Sequence, residues 1–188
     1  VVSGPESGSG FIPPPRRGGV LTVVSDTHGI DSHRLEGRTL AAVRGAEAVV
    51  HAGDFTTERV LDAVEHEARS LTAVYGNNDT SGVRDRLTDV ATLPWRGLRV
   101  LVVHGHEHSE TALGLLARQE AADVVVVGHS HRPTLSDLGG RLLVNPGSYA
   151  DPRRYRPAHA ELAVERGLLR AKLRAPDGTT YSEVTREV

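Results

Sequence analysis

The hydrophobic residues of the chain fall into short continuous runs that are typical of buried strands. Six runs rich in Val and Leu cover residues 20–24, 48–50, 71–75, 100–103, 124–127 and 142–144. Because these runs lack alternating polar positions, we expect both faces of the strands to be covered. Such strands are typical of a sheet with a substantial parallel component.

Segments between several of the runs carry apolar residues at helical spacing. In residues 56–70, Val60, Leu61 and Val64 share one stripe, and residues 109–121 do the same with Leu113 and Leu116. Alternating strands and helices predict an α/β fold. Residues 158–164 and 168–173 flank Glu165-Arg166-Gly167 and predict a β-hairpin.

Composition divides the 188 residues into one working domain and two polar ends. Residues 1–18 are rich in Gly and Pro and predict a disordered N-terminal tail. Residues 19–174 form the predicted domain, since a domain of roughly 150 residues is ordinary. Residues 175–188 predict a C-terminal tail or an edge strand.

Side chains that can bind metal follow each predicted strand directly. The segments are Asp26-Thr27-His28, Gly53-Asp54, Gly76-Asn77-Asn78-Asp79, His104-Gly105-His106, Gly128-His129-Ser130-His131 and Asn145-Pro146-Gly147-Ser148. Sites in α/β proteins form beyond the carboxyl ends of strands. We therefore expect all six segments to meet in one crevice.

The residue types in these segments favour divalent metal ions. The chain has no Cys and ten His, so disulfides, iron–sulfur clusters and thiol catalysis are excluded. Nitrogen and oxygen donors without sulfur suit Mn²⁺, Fe²⁺, Zn²⁺, Co²⁺ or Ni²⁺. In extended backbone, the i, i+2 pairs Asp26/His28 and His129/His131 would each face one way. Asp54 could bridge two ions roughly 3.5–4 Å apart, leaving a positive site that attracts phosphate.

Charge and hydropathy limit the partners. The 22 basic and 24 acidic residues give a net charge of −2, so nucleic acid is an unlikely partner. No apolar run approaches the roughly 18 residues of a membrane span, and residues 1–19 contain no signal region. The expected location is cytoplasmic, with no membrane partner.

The six motifs, in this order, resemble the calcineurin-like metallophosphoesterase superfamily. The short length and the Asn-Pro-Gly-Ser ending resemble its small bacterial and archaeal phosphodiesterase branch. The resemblance covers about residues 20–148. It implies a two-sheet β-sandwich flanked by helices, no cap domain, and two divalent metal ions per chain, with Mn²⁺ favoured and Ni²⁺, Fe²⁺, Co²⁺ or Zn²⁺ as alternatives.

The resemblance also implies a ligand set for each ion. One ion would be held by Asp26, His28, Asp54 and His131, and the other by Asp54, Asn77, His104 and His129. Asn77 is chosen over Asn78 because the family ligand directly follows the Gly. Asn78 stands where many members carry a His that protonates the leaving group, which an amide cannot do. Asn78 and His106 are the candidate catalytic residues.

The resulting hypothesis is a phosphodiesterase in which a metal-bridging hydroxide attacks small phosphodiesters in line. A homo-oligomer is compatible with it. The alternatives on the same fold are a non-catalytic interaction scaffold, as in a eukaryotic retromer subunit, and a phosphomonoesterase or nuclease. Completeness of the seven ligand-type side chains favours the enzyme.

The remaining residues near the motifs are interpreted as structural. His51 and Asp79 are expected to support ligands from behind, and tight turns are sufficient to explain Gly53, Gly76, Gly105 and Gly128. Four histidines outside the motifs are expected to be ordinary surface or core residues: His33, His66, His108 and His159.

Overall fold

The computed structural model describes residues 19–188, in which strands and helices alternate as predicted. The strands, in chain order, are β1 Val20–Val24, β2 Ala48–His51, β3 Leu71–Ala73, β4 Val90–Trp95, β5 Leu98–Val103, β6 Val124–Val126, β7 Thr134–Leu138, β8 Arg141–Asn145, β9 His159–Glu165, β10 Leu168–Arg174 and β11 Thr180–Glu187. The helices are α1 Gly37–Gly45, α2 Glu58–Glu67, α3 Ser81–Arg86 and α4 Glu110–Gln119. All six predicted strands and both predicted helices are present, with shorter bounds for several.

The strands form two mixed sheets that pack face to face. The six-stranded sheet has the order β11-β10-β9-β1-β2-β3, and the five-stranded sheet has the order β4-β5-β6-β8-β7. Strands β1, β2 and β3 are parallel neighbours in the first sheet, as are β5, β6 and β8 in the second. The predicted two-sheet sandwich flanked by helices is confirmed.

Alternate side chains of the parallel strands face two different apolar layers. In β5, Val100 and Val102 join the core between the sheets, whereas Leu101 and Val103 pack toward α4 beside Leu113. Strand β1 repeats this arrangement between the central core and the layer under α1. Each buried Val or Leu contributes about 1.5–3 kcal/mol through removal of its surface from water. Two-sided burial explains why the runs show no polar alternation.

Strands β4 and β7 and helices α1 and α3 were not predicted. Both strands lie at edges of the five-stranded sheet. Pro94 in β4 lacks the N–H that a central strand needs, and β7 includes the exposed Asp137. Helix α1 buries only Thr39 and Val43, so its apolar stripe is too narrow to be recognised.

The carboxyl-terminal third extends the six-stranded sheet. The predicted hairpin is confirmed as β9 and β10, which turn through Arg166 and Gly167 at φ values of +53° and +75°. Strand β11 pairs with β10 along its length and forms the sheet edge. The predicted tail of residues 1–18 lies outside the described residues. No helix in residues 19–188 has the length and apolar character needed to cross a membrane.

Candidate metal centre

Loops from both sheets meet where the parallel strands have their carboxyl ends. The loops after β1, β2 and β3 come from the six-stranded sheet, and those after β5 and β6 come from the five-stranded sheet. The structure brings together all seven predicted ligands: Asp26, His28, Asp54, Asn77, His104, His129 and His131. Their donor atoms form two adjoining groups, which we call the first and second lobes.

The first lobe contains Asp26, His28 and His131, with Asp54 at its boundary. His131 Nε2 lies 3.3 Å from Asp26 Oδ1 and 3.2 Å from His28 Nε2. His28 Nε2 is also 3.6 Å from Asp54 Oδ2. One donor atom from each of Asp26, His28 and His131 lies within 4.8 Å of the others. This spacing allows the three side chains to hold one cation.

The second lobe contains Asn77, His104 and His129, again with Asp54 at its boundary. His104 Nε2 lies 3.3 Å from Asp54 Oδ2 and 3.1 Å from Asn77 Oδ1. Asn77 Oδ1 is 3.0 Å from His129 Nδ1. Asp26 also approaches this group, with a donor atom within 4.8 Å of those of Asp54 and His104. Asp54 Oδ2 thus faces an imidazole of each lobe.

Five of the seven ligands have left-handed backbone, whereas our interpretation of the i, i+2 pairs assumed extended backbone. The φ angles are +54° at Asp26, +43° at His28, +60° at Asp54, +62° at His129 and +56° at His131. Each non-glycine residue in this region costs roughly 1–3 kcal/mol. Hydrogen bonds between loops hold the conformation, since Asp26 N–H donates to the Gly53 carbonyl and His28 N–H to the Asp54 carbonyl. The extended-strand argument was therefore wrong for both pairs.

Two glycines of the site are required by close approach and not by turn geometry. Gly53, at φ +91°, does occupy a turn that favours glycine. A Cβ at Gly76, however, would lie 2.1 Å from Asp54 Oδ1, and one at Gly128 would lie 2.1 Å from Ser25 Oγ. Our explanation by tight turns was therefore wrong for Gly76 and Gly128, which make room for the side chains at the site.

Two of the imidazoles are oriented by backbone carbonyls behind them. His104 Nδ1 lies 2.7 Å from the Ala52 carbonyl oxygen, to which it donates. His131 Nδ1 likewise donates to the Asp151 carbonyl oxygen. These hydrogen bonds direct the Nε2 atoms of both rings toward the lobes, an arrangement common behind metal-binding histidines.

Asp54 and His104 face each other at the boundary of the lobes and shift each other's pKa. Burial disfavours the Asp54 carboxylate, but His104 and hydrogen bonds from Asn78 outweigh burial and hold the pKa of Asp54 well below its usual range. Burial also disfavours the charged form of His104, yet the Asp54 carboxylate raises the pKa of His104 above its ordinary value. A bound cation would replace the proton on His104, because a ligating imidazole must be neutral.

One carboxylate oxygen in the first lobe is buried without a hydrogen-bond partner. Asp26 Oδ2 accepts from Ser25 Oγ at 2.6 Å and from His129 N–H at 3.1 Å. Asp26 Oδ1 has no such partner within the described chain. Its contact at the site is His131 Nε2, 3.3 Å away, and a cation bound between these two atoms would satisfy both. The donor set and this oxygen fit a divalent cation.

Asp79 and His51 support the loops that carry the ligands. Asp79 accepts backbone N–H groups of Thr56, Gly76 and Asp54 at 2.6, 2.7 and 3.1 Å. It therefore orients two loops, as expected. Burial, together with the nearby His104, lowers the pKa of His51 to about 3, so this ring is neutral. His51 Nδ1 accepts Gly53 N–H at 3.2 Å, and Nε2 can donate to Thr27 Oγ1, 3.3 Å away, so the ring supports this loop as expected.

The two candidate catalytic residues occupy different positions around the second lobe. The Asn78 side chain donates from Nδ2 to Asp54 Oδ2 at 2.7 Å, and its backbone N–H donates to Asp54 Oδ1 at 2.8 Å. His106 lies beside His104 and His129, with ring centroids 5.3 and 6.1 Å away. Its Nδ1 atom is buried and has no partner in the described part of the chain. His106 also borders a cavity of about 60 Å³ with Tyr75 and Arg84.

The sequence patterns did not indicate the roles of Arg84 and Ser148 in supporting the site. Arg84 donates to the carbonyl oxygens of Gly76, Asn77 and Asp79 at 3.3, 2.9 and 3.1 Å, and so holds the loop that carries Asn77. Ser148 Oγ donates to the Asp26 carbonyl oxygen at 2.7 Å. The Asn-Pro-Gly-Ser motif could have suggested Ser148, but backbone carbonyl partners leave no mark in the sequence.

Residues 20–166 match the family model for the calcineurin-like phosphoesterase superfamily domain. The chain belongs to this superfamily. Among its relatives is a probable metallophosphoesterase of Bacillus subtilis, YsnB, which is 35% identical over 152 residues covering 77% of this chain and 84% of the relative. The phosphodiesterase YfcE of Escherichia coli is 28% identical over 156 residues, covering 73% of this chain and 83% of YfcE.

Solved structures that resemble this chain include proteins named for vacuolar sorting. Vacuolar protein sorting 29 from Cryptosporidium parvum has a TM-score of 0.76 and 16% identity, covering 92% of this chain and 100% of that chain. At this identity the match supports the fold alone. The same fold thus occurs in proteins whose names give different roles, vacuolar sorting and phosphodiesterase activity.

Proposed function

We propose that the protein is a metal-dependent phosphodiesterase that hydrolyses small phosphodiesters. The observation that carries this proposal is the position of Asp54 Oδ2, which lies 3.6 Å from His28 Nε2 in the first lobe and 3.3 Å from His104 Nε2 in the second. A carboxylate between two groups of nitrogen and oxygen donors suits a pair of cations. Its phosphodiesterase relatives support the choice of reaction.

Two divalent ions, with Mn²⁺ favoured, are proposed to occupy the lobes. The first lobe would hold one ion through Asp26, His28, Asp54 and His131, and the second through Asp54, Asn77, His104 and His129. When bound, such ions supply an acidified water as the nucleophile and positive charge for the phosphate oxygens. No covalent side-chain nucleophile is then needed.

The surrounding side chains are proposed to orient the phosphate and handle protons. His106 borders the second lobe with a partly exposed imidazole, where the ring can donate a hydrogen bond to a substrate oxygen. Asn78 can donate a hydrogen bond but cannot deliver a proton to a leaving group. We therefore propose in-line displacement that is efficient for good leaving groups and slow for alkoxides.

A scaffold function is the second candidate, because the fold matches vacuolar protein sorting 29. A protein that acts only through its surface does not need converging metal donors. The converging donors and the phosphodiesterase-named relatives favour hydrolysis. A phosphomonoesterase would use the same residues and is distinguished by substrate profile.

The test is hydrolysis of bis-p-nitrophenyl phosphate by protein first stripped with chelator and then reloaded with Mn²⁺. We expect activity only after reloading, and a loss of at least about a hundredfold in kcat/KM for Asp54→Asn, since it removes the shared ligand. Asp62→Asn is the matched control, because Asp62 is an exposed carboxylate paired with Arg86. Equal activity of wild type and Asp54→Asn, with and without Mn²⁺, would refute the proposal.

A further inference from the structure

Two clusters of basic side chains on the protein surface differ in how far carboxylates neutralise them. A surface cavity of about 610 Å³ lies over β9 and β10, away from the lobes. Along it, Arg170 and Lys172 each lie 3.4 Å from Glu183, and Arg174 lies 3.1 Å from Glu161. These three cations have carboxylate partners within the fold, so they offer little unsatisfied charge to a ligand.

The second group lies on a tight turn beside the first lobe, formed by residues 152–155. The Tyr155 N–H donates to the Pro152 carbonyl oxygen at 2.8 Å, and Arg153 has a φ of +50°. A non-glycine residue in this conformation is strained, and such strain tends to occur at functional positions. The turn presents two consecutive exposed arginines, Arg153 and Arg154.

The turn is attached to the first lobe through Asp151. The Asp151 carbonyl oxygen accepts the Nδ1 hydrogen of His131. The backbone N–H of Asp151 donates to Ser148 Oγ at 2.9 Å. The Asp151 carboxylate Oδ2 lies 3.8 Å from His131 Nδ1 and 3.7 Å from Arg153 Nε. The Asp151 carboxylate therefore lies between the Arg153 guanidinium and the imidazole of His131.

The positive charge beside the first lobe is only partly balanced by carboxylates, because Arg153 faces Asp151 at 3.7 Å and its neighbour Arg154 faces none in the described chain. Within residues 19–188, no carboxylate lies within 4.0 Å of the guanidinium of Arg132, Arg154 or Arg156. Arg154 stacks on Tyr155 at 5.5 Å and Arg156 on Tyr181 at 5.6 Å. Stacking leaves the N–H edge of a guanidinium free to bind an anion, and its planar fork matches a phosphate.

We infer that the arginine turn, residues 152–155, binds a second phosphate of the substrate while the scissile phosphodiester occupies the lobes. The inference rests on the proposed phosphodiesterase function and names its substrate class. The preferred substrates are small phosphodiesters that bear an additional phosphate, such as phosphorylated nucleotide esters. Arg153 and Arg154 are the residues that determine this preference.

The test compares two chromogenic substrates that differ only in the second phosphate. They are thymidine 5′-(p-nitrophenyl phosphate) and the same ester carrying a 3′-phosphate, both assayed with Mn²⁺-loaded protein. We expect kcat/KM of the wild type to be about tenfold higher for the 3′-phosphorylated ester, through a lower KM, as one exposed charge-assisted contact can supply. The Arg153→Gln/Arg154→Gln variant should bring this ratio close to one, and the corresponding Lys variant should retain part of it.

The control variant is Arg170→Gln, which removes an exposed arginine far from the lobes and should leave the ratio unchanged. A wild-type ratio near one, or an unchanged ratio in the Gln variant, would overturn the inference while the proposed function stands. If neither ester is hydrolysed, the proposed function fails and calorimetric titration decides the inference. The inference is supported if the wild type binds thymidine 3′,5′-bisphosphate more tightly than thymidine 5′-phosphate and the Gln variant loses this preference. Equal binding of the two nucleotides by the wild type refutes it.

Discussion

Two carboxylates, the buried Asp54 and the largely shielded Glu161, show how one type of group can serve a site or a fold. Glu161 on β9 accepts hydrogen bonds from Arg38 at 2.7 Å and Arg174 at 3.1 Å, and His159 Nε2 lies 3.3 Å away. Asp54 has no arginine partner in the described chain and faces His28, His104 and the Asn78 amide. Permanent cations neutralise Glu161 within the fold. Imidazoles and an amide leave Asp54 able to bind a cation from solution.

The largest expected effect concerns Asn78. Its amide binds Asp54, whereas arginines bind Glu161. Since no imidazole occupies this position, we expect aryl phosphodiesters to be hydrolysed at least about a hundredfold faster than alkyl phosphodiesters of matched size. Asn78→His should raise the rate on alkyl esters selectively. Initial rates at saturating Mn²⁺ check this, and equal wild-type rates on the two classes would contradict it.

Metal should stabilise the protein through Asp54 and not through Glu161. At a free Mn²⁺ concentration of about one hundred times its Kd, linkage predicts about 2.7 kcal/mol of added unfolding free energy. Asp54→Asn should lose most of this gain, whereas Glu161→Gln should keep it. Urea unfolding with Mn²⁺ and with chelator measures the gain. A gain of equal size in Asp54→Asn would show that the ion binds elsewhere.

Glu161 should matter for stability in a pH-dependent way. Burial opposes its ionisation, but His159, Arg38 and Arg174 outweigh burial and lower the pKa of Glu161 to about 2 from an ordinary 4.5. Its contribution is therefore complete above the unfolded pKa and is lost as the pH falls through the folded one. Glu161→Gln should cost about 2 kcal/mol near neutral pH.

The difference between wild type and Glu161→Gln should shrink on acidification from 4.5 toward 2. Urea unfolding near neutral and near the acid end of this range measures it. Glu183→Gln is the control, because its half-exposed partners Arg170 and Lys172 predict an effect below about 1 kcal/mol. If the difference in unfolding free energy between wild type and Glu161→Gln stays constant with pH, the lost stability comes from packing alone and the ion pairs of Glu161 contribute nothing.

The smallest predicted effect is a difference in Mn²⁺ affinity between variants of two arginines on the short helix α3. Arg84 holds the carbonyls of the Asn77 loop, whereas Arg86, two residues later on α3, pairs with Asp62 and Glu65. Arg84→Gln should weaken Mn²⁺ binding about tenfold, as expected for a residue that orients a ligand. Arg86→Gln should leave it unchanged. Calorimetric titration of chelator-treated protein decides, and equal affinities for both variants would remove the role of Arg84.

The sequence was most informative where the hydrophobic or polar character of a residue is enough to predict its position in the fold. Continuous runs of Val and Leu identify strands buried on two sides, and the polar residue after each run leads to the edge where Asp26, Asp54 and His104 meet. The edge strands β4 and β7 carry weaker patterns because only one side and one neighbour restrain them.

Features that depend on contacts between distant loops were not predictable. The left-handed φ of Asp26 and His28 follows from hydrogen bonds to the loop after β2, about 27 residues away in sequence. Similarly, the need for glycine at Gly76 arises only because the Asp54 side chain packs against it. Local patterns contain no record of either contact.

The distribution of donors between the two sheets has a mechanical consequence. The first lobe takes Asp26 and His28 from the six-stranded sheet and His131 from the five-stranded sheet, and the second lobe is likewise divided. An ion bound in either lobe would cross-link the two layers of the sandwich, so the halves could not slide or part without losing it. Metal occupancy would then report on whether the two layers are correctly joined.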